Sequence, residues 1–268
     1  MVRNLPPGKH NAQIHFPEFI NGSKLHLMRF TNKVCLVTGS GSGIGRATAL
    51  RFASEEGQVV VIDRDEKGGK ETVDMIVKAN GKAIFCLCDV GNENDIQKAV
   101  DLAISTWQKI DILVNNAAMM TFKKITDLSL EEWDMVMRVN LRSVFLFCKL
   151  CIPHMNNGSI VNISSVHAHE TTANVVPYAS SKGAMEAFIR GVSLEYPKQI
   201  RINCVAPGAV DTPMLWNNPN VKSGAEIVTG AIGKPEELAA AICFIASDEA
   251  SFINGTTLIV DGGRLDIL

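Results

Sequence analysis

The chain has 268 residues, 46% hydrophobic and 20% charged, which suits one globular domain with a sizeable core. A formal net charge of −2, a pI near 6.3 and no dense Lys/Arg tract exclude the electrostatic footprint of a nucleic-acid binder. No apolar stretch approaches the roughly 20 residues that span a bilayer, and the N-terminus lacks a compact apolar segment of signal-peptide type, so a cytoplasmic protein without membrane attachment is expected.

Residues 1–27 carry Pro6-Pro7-Gly8 and no apolar period, and read as an extension ahead of a domain covering 28–268. An apolar run, Val34 to Val37, then leads into Thr38-Gly-Ser-Gly-Ser-Gly-Ile-Gly45, which opens a helical pattern at Ile44, Ala47 and Leu50. Strand, tight turn and helix in that order place backbone N–H groups and a partial positive charge against a phosphate. Gly39, Gly43 and Gly45 are therefore expected to cradle a pyrophosphate. Their spacing is G-x-x-x-G-x-G, and no Gly-Lys-Ser/Thr follows, which disfavours a nucleoside-triphosphate loop.

The second strand, Gln58–Asp63, ends in an acid where a dinucleotide fold places a carboxylate against the adenosine ribose. Asp63 should bind both ribose hydroxyls, and a 2′-phosphate there would meet a like charge that Ser42 does nothing to offset. NAD is thus favoured over NADP, although the adjacent Arg64 could swing toward a phosphate. A third strand near 82–88 ends at Asp89-Val90, and the helix after it shows Ile96, Val100, Ala103 and Trp107 on one face. A fourth, near 111–116, closes on Asn115-Asn116-Ala117-Ala118, and Ser129-Leu-Glu-Glu132 has capping-box spacing.

A fifth strand near 158–164 closes on Ser164-Ser165, thirteen residues before Tyr178. Tyr178 and Lys182, four apart on a helix, stack a phenol over an ammonium group. A nearby cation favours phenolate and should bring the phenol down from its ordinary value near ~10. Strands near 200–206 and 256–260 complete seven. Alternation of apolar strands with amphipathic helices predicts an α/β fold, a single Rossmann-type doubly wound domain with a seven-stranded parallel sheet covered on both faces. Ligands of such sheets bind beyond the carboxyl ends of the strands, where these motifs converge.

Seven cysteines, an odd count within apolar patterns, read as buried free thiols. Cys148-Lys-Leu-Cys151 lies inside a helical pattern rather than at a helix start, and no second pair completes a zinc site, so no metal is expected.

From about residue 31 to 264 the chain resembles the short-chain dehydrogenase/reductase family. The resemblance rests on TGSGSGIG at 38–45, Asp89, NNAA at 115–118, Asn140, Ser165, YASSK at 178–182 and PGAVDT at 207–212. Ala118 departs from the family's usual glycine and adds a methyl near the cofactor. The resemblance implies Tyr178 as acid/base, Lys182 lowering its pKa and holding the nicotinamide ribose, Ser165 on the substrate oxygen, and Asn140 completing a relay through water. It also implies that Gly39, Ser42, Gly43, Ile44, Gly45, Asp63, Asp89, Val90, Asn116, Tyr178, Lys182, Val210 and Thr212 bind the cofactor. Val210 and Thr212 would meet the nicotinamide carboxamide, residues 213–233 would form a mobile substrate lid, and the protein would be a homo-oligomer, tetramer or dimer.

The substrate is less legible. Ser164-Ser165-Val166-His167 is similar to the family's sugar dehydrogenases, and His167, His169 and Glu170 would suit a hydroxylated ligand, so the substrate expected is a small secondary alcohol or ketone, a sugar or polyol first. Met119, Met120 and Phe122 favour the alternative of a steroid or acyl chain. A non-catalytic nucleotide sensor would have no need of Ser165, Tyr178 and Lys182 together, and a sugar-nucleotide epimerase usually carries a further substrate domain.

Overall fold

Apolar runs and helical stripes alternate as β1 (Val34–Thr38), α1 (Gly43–Ser54), β2 (Gln58–Asp63), α2 (Glu66–Lys78), β3 (Lys82–Leu87), α3 (Glu93–Trp107), β4 (Ile112–Asn115), α4 (Leu130–Met137), α5 (Ser143–Cys151), β5 (Gly158–Ile163), α6 (Val176–Glu195), β6 (Ile200–Pro207), α7 (Pro213–Trp216), α8 (Pro219–Lys222), α9 (Pro235–Ala246) and β7 (Thr257–Val260). The computed structural model describes residues 28–224, 228 and 230–266; the expected extension 1–27 lies outside them.

The seven strands are parallel, in the order β3-β2-β1-β4-β5-β6-β7. From β1 the chain winds outward to β3, returns to place β4 on the other side of β1, and winds outward again to β7. The carboxyl ends of β1 and β4 therefore border the crevice where the winding reverses, the binding position in such sheets. Alternation along each strand sends side chains to opposite faces. Val34, Leu36, Val60 and Ile62 pack with Ile96, Phe147 and Met185 of α3, α5 and α6. Cys35, Val37, Val59 and Val61 pack with Phe52, Ile76 and Ile242 of α1, α2 and α9. Burying strands on both faces explains why they read as continuous apolar runs.

Ser129 and Glu132 form the expected capping box at α4. Trp107 ends its helix partly buried against the core, as its stripe predicts. All seven cysteines are buried and free. Burial holds the thiols of Cys148 and Cys151 above the ordinary range, which removes thiolate chemistry from that pair. Two departures matter for the site. Residues 213–222 are not plain loop: Pro213 and Pro219 start short helices, with Thr212 and Asn218 accepting hydrogen bonds from Leu215 and Asn220 amides. Between α4 and α5 the helix widens to a π-helical segment, Arg138–Arg142, which buries Asn140.

Candidate active site

The glycine turn joins the ends of β1 and β4. Gly39 has φ +65°, and a Cβ there would stand 2.9 Å from the Ala117 Cα. The Thr38 hydroxyl accepts from the amides of Asn116 (2.9 Å) and Ala117 (3.0 Å), while Asn116 Nδ2 donates to the carbonyls of Thr38 (2.9 Å) and Gly39 (3.1 Å). Ser42, extended before α1, makes no capping bond with its side chain, so it leaves the first-turn N–H groups to another acceptor. Gly43 has φ +52°, and a Cβ there would come 3.1 Å from Thr212 Cγ2. Gly39, Ser42, Gly43 and Ile44 line one cleft of about 320 Å³. Gly45 does not. A Cβ at Gly45 would stand 2.1 Å from the Gly39 carbonyl oxygen, so this glycine lets α1 pack against the turn rather than cradling a ligand.

Asp63 lines the cleft half-buried. Its carboxylate accepts from the amides of Gly41 (2.7 Å) and Asp65 (2.8 Å), leaving a further acceptor site on each oxygen. Arg64, Asp89, Val90 and Asn116 line the same side. Arg46, which the sequence reading passed over, ties the turn to α2. It donates to Thr72 Oγ1 at 3.0 Å, to the Gly41 carbonyl, to the Gly68 carbonyl at 3.1 Å, and to Glu71 at 3.2 Å. A basic residue in a helix carries no sequence mark of partners one helix away.

Ser165, Tyr178 and Lys182 come together over the ends of β5 and β6, all buried and all facing the cleft. The Ser165 hydroxyl faces the Tyr178 phenol closely enough to favour its ionisation. The two serines part company: the Ser164 hydroxyl donates to Glu186 Oε1 at 2.7 Å, whereas Ser165 Oγ accepts from the His167 amide at 3.2 Å. Lys182 Nζ stands 5.4 Å from the centroid of the Tyr178 ring and donates to the Ile163 carbonyl at 2.6 Å.

The electrostatics correct one expectation. Burial dominates the phenol, which is pushed up to about 12 despite the Ser165 hydrogen bond that favours ionisation. Burial also brings the Lys182 ammonium down to about 8, partly offset by Cys204. In this arrangement burial, not the lysine, sets the direction of the tyrosine shift. At neutral pH the phenol is a proton donor, poised to protonate a carbonyl oxygen, and a cation entering the cleft would move it toward phenolate.

The lysine shift has a stability consequence. Between about pH 8 and 10.5 the unfolded chain holds more protons at Lys182 than the folded one, so the Lys182 contribution to folding becomes more favourable as pH rises through that window. Lys182→Met removes it. Relative to wild type, the variant should lose on the order of 1–3 kcal/mol on going from pH 7 to pH 10. Melting temperatures of the two proteins at both pH values check this; a constant difference would mean that burial does not control the ammonium.

Asn140 is placed differently from expectation. Its side chain accepts from the Met119 amide (2.9 Å) and donates to the Met119 carbonyl (2.9 Å) and Ser181 Oγ (3.0 Å). These bonds fasten the loop after β4 to α6, and Asn140 does not line the cleft. A side chain so engaged holds the site together.

Beyond Tyr178 the lining comes from the loops after β4, β5, β6 and β7. Ala118, Met119, Met120, Val166, Met214, Leu215 and Val228 are apolar, and His167, Asn218 and Arg264 are polar. The His167 ring meets the Tyr178 ring edge-on, centroids 5.8 Å apart. Val210 and Thr212 also line the cleft, the Thr212 hydroxyl donating to the Val210 carbonyl at 3.3 Å. Residues 225–227 and 229 of the expected lid lie outside the described residues. Among the described residues no cluster of His, Cys, Asp or Glu could hold a metal ion, and no helix is long and apolar enough to cross a membrane.

Residues 39–264 match the family model described as Enoyl-(Acyl carrier protein) reductase. The chain is 37% identical over 244 residues to a cyclopentanol dehydrogenase of Comamonas sp. (strain NCIMB 9872), covering 88% of this chain and 98% of that one. It is 38% identical over 244 residues to glucose 1-dehydrogenase 2 of Bacillus subtilis (strain 168), covering 87% and 95%. Among solved structures it is similar to a 7α-hydroxysteroid dehydrogenase complexed with NADH and 7-oxo glycochenodeoxycholic acid. The TM-score there is 0.82 at 32% identity, over 90% of this chain and 98% of that one.

Proposed function

The chain belongs to the short-chain dehydrogenase/reductase family, and on that premise we propose that it interconverts a secondary alcohol and a ketone with NAD, Tyr178 exchanging the proton. The observation that carries this reading is the buried Tyr178 phenol, beside Ser165 and Lys182 in the same cleft as the uncapped start of α1. When bound, NAD supplies the hydride chemistry. The chain supplies the rest. Tyr178 gives a proton to, or takes one from, the substrate oxygen; Ser165 hydrogen-bonds that oxygen; Lys182 holds the nicotinamide ribose; and Asn140 keeps the loop after β4 against α6.

The free amides at Gly39, Ser42, Gly43 and Ile44 fit a pyrophosphate. Asp63 fits the adenosine ribose, Asp89 and Val90 border the adenine, Asn116 closes the crevice, and Val210 and Thr212 border the carboxamide. NAD is favoured over NADP because a 2′-phosphate would meet the Asp63 carboxylate, and Arg46 is already engaged by four protein groups. A 2′-phosphate would have to recruit Arg64 instead.

For the substrate, the side chains of Met119, Met120, Val166, Met214 and Leu215 favour an alicyclic or steroid-like body. Sugar hydroxyls pressed against them would lose water without gaining partners. The sugar or polyol expected from sequence is the second reading, favoured by His167 and Arg264 in the lining. Residues 213–233, which bring Met214 and Leu215 over this side, act as the lid. A cytoplasmic homodimer or homotetramer fits the exposed apolar groups Phe252, Leu194 and Ile259.

The test is a panel of alicyclic alcohols, hydroxysteroids, 3-hydroxyacyl thioesters, sugars and polyols with NAD and NADP, following reduced nicotinamide, with light scattering on the same preparation. Alicyclic alcohols or hydroxysteroids with NAD should respond most strongly. Response to sugars alone would reverse the substrate order, a preference for NADP would overturn the Asp63 argument, and binding without turnover by any alcohol would overturn the enzymatic reading.

A further inference from the structure

Glu186 is a buried carboxylate that the proposed chemistry does not use, its side chain 8% exposed. It stands one helical turn beyond Lys182 and two beyond Tyr178, on the same stripe of α6. A buried carboxylate is costly unless hydrogen-bonded and neutralised. Its Oε1 accepts from the Ser164 hydroxyl at 2.7 Å and lies 3.3 Å from His169 Nε2. Both partners belong to the connection between β5 and α6, which holds Ser165 between them. That connection winds one tight turn, Val166–Ala168, closed by amides of Ala168 and His169 donating to the carbonyls of Ser165 and Val166, both at 2.9 Å. One carboxylate thus grips the turn at both ends, at the exit of β5 and just past Ala168.

We propose that Glu186 is a positioning residue: by holding Ser164 and His169 it keeps the Ser165 hydroxyl on the Tyr178 phenol and sets the His167 wall of the substrate pocket. The proposal rests on Tyr178 being the proton-exchanging group. His169 completes the grip from the far end of the turn, its Nε2 3.3 Å from the Glu186 carboxylate. The buried Cys204 thiol on β6 feels the charge of Glu186, and also those of Lys182 and Arg190 on α6. Lys182 is engaged by the Ile163 carbonyl, and the basic side chain placed against Glu186 is His169.

Glu186→Gln keeps the volume and an acceptor for Ser164 but removes the charge, and His169→Gln removes the imidazole from a half-exposed position. Both variants should fold. In the full-length protein, amide hydrogen exchange over residues 165–170, corrected for intrinsic rate, should speed up about tenfold in either variant, and no further in the double variant. With the substrate found in the panel, KM should rise about five- to fiftyfold while the Kd for NAD stays unchanged. Wild-type exchange in both variants, or additive effects in the double variant, would each overturn the proposal. The exchange measurement needs no substrate, so it separates failure of this proposal from failure of the catalytic reading, which Tyr178→Phe turnover decides.

Discussion

Tyr178→Phe should lower turnover of the responding alcohol about 10²- to 10⁴-fold, the usual worth of a positioned acid/base. Dinucleotide affinity should hardly change, because the groups placed to bind it lie along the ends of β1, β2 and β3 as well as beside the phenol. The fold should hold too, since phenylalanine keeps the ring that fills the buried site next to His167 and Lys182. The loss should therefore fall on kcat and kcat/KM together, the pattern of an interaction made in the transition state. Steady-state kinetics paired with a binding titration read both quantities. Turnover equal to wild type would remove Tyr178 from the chemistry, and equal loss of nucleotide binding would reassign it to cofactor positioning.

Gly45→Ala should have the largest effect on the molecule itself. The added methyl would stand 2.1 Å from the Gly39 carbonyl oxygen and 2.6 Å from Asn116 Nδ2, the atom that ties the ends of β1 and β4 together. Backbone on one side and a buried amide on the other cannot both give way, so the cost is roughly 3 kcal/mol, at the top of the usual overpacking range. For a chain of this size that is a fall in Tm of about 6–10 °C. Dinucleotide binding should fall as well, because relief of the clash moves the Gly39 turn. Gly191→Ala is the control: it sits exposed in α6 with nothing within 4 Å of the new methyl, and alanine there should stabilise by about 0.5–1 kcal/mol. Equal melting temperatures for Gly45→Ala and wild type would refute the packing role.

The five interior strands were legible because each is a short apolar run buried on both faces, a local signal that needs no partner to be read, while the edge strands β3 and β7 are only partly buried. Predicted 58–63 and observed Gln58–Asp63 coincide, and the other strand boundaries shift by one residue, at one end or, for β4, at both. The glycine turn and the Tyr178–Lys182 spacing were legible for a similar reason, whereas Ser165 was chosen through the family resemblance. Strand–turn–helix order and i, i+4 geometry are properties of neighbouring residues. The α7 and α8 helices were not: four residues carry too few apolar positions to show a period, although Pro213 and Pro219 mark their starts.

What the amino-acid sequence determined by itself was the order of elements, their parallel arrangement and the strand ends at which the polar residues gather, since these follow from periodicity and chain connectivity. Only the tertiary structure decided how each side chain is spent. It turned Gly45 from a phosphate contact into a packing position, engaged the Asn140 side chain with Met119 and Ser181, bound Arg46 to α2, and set Glu186 between Ser164 and His169. It also reversed the expected shift of the Tyr178 phenol, because desolvation depends on everything packed around a group, whereas a four-residue spacing reports only one neighbour.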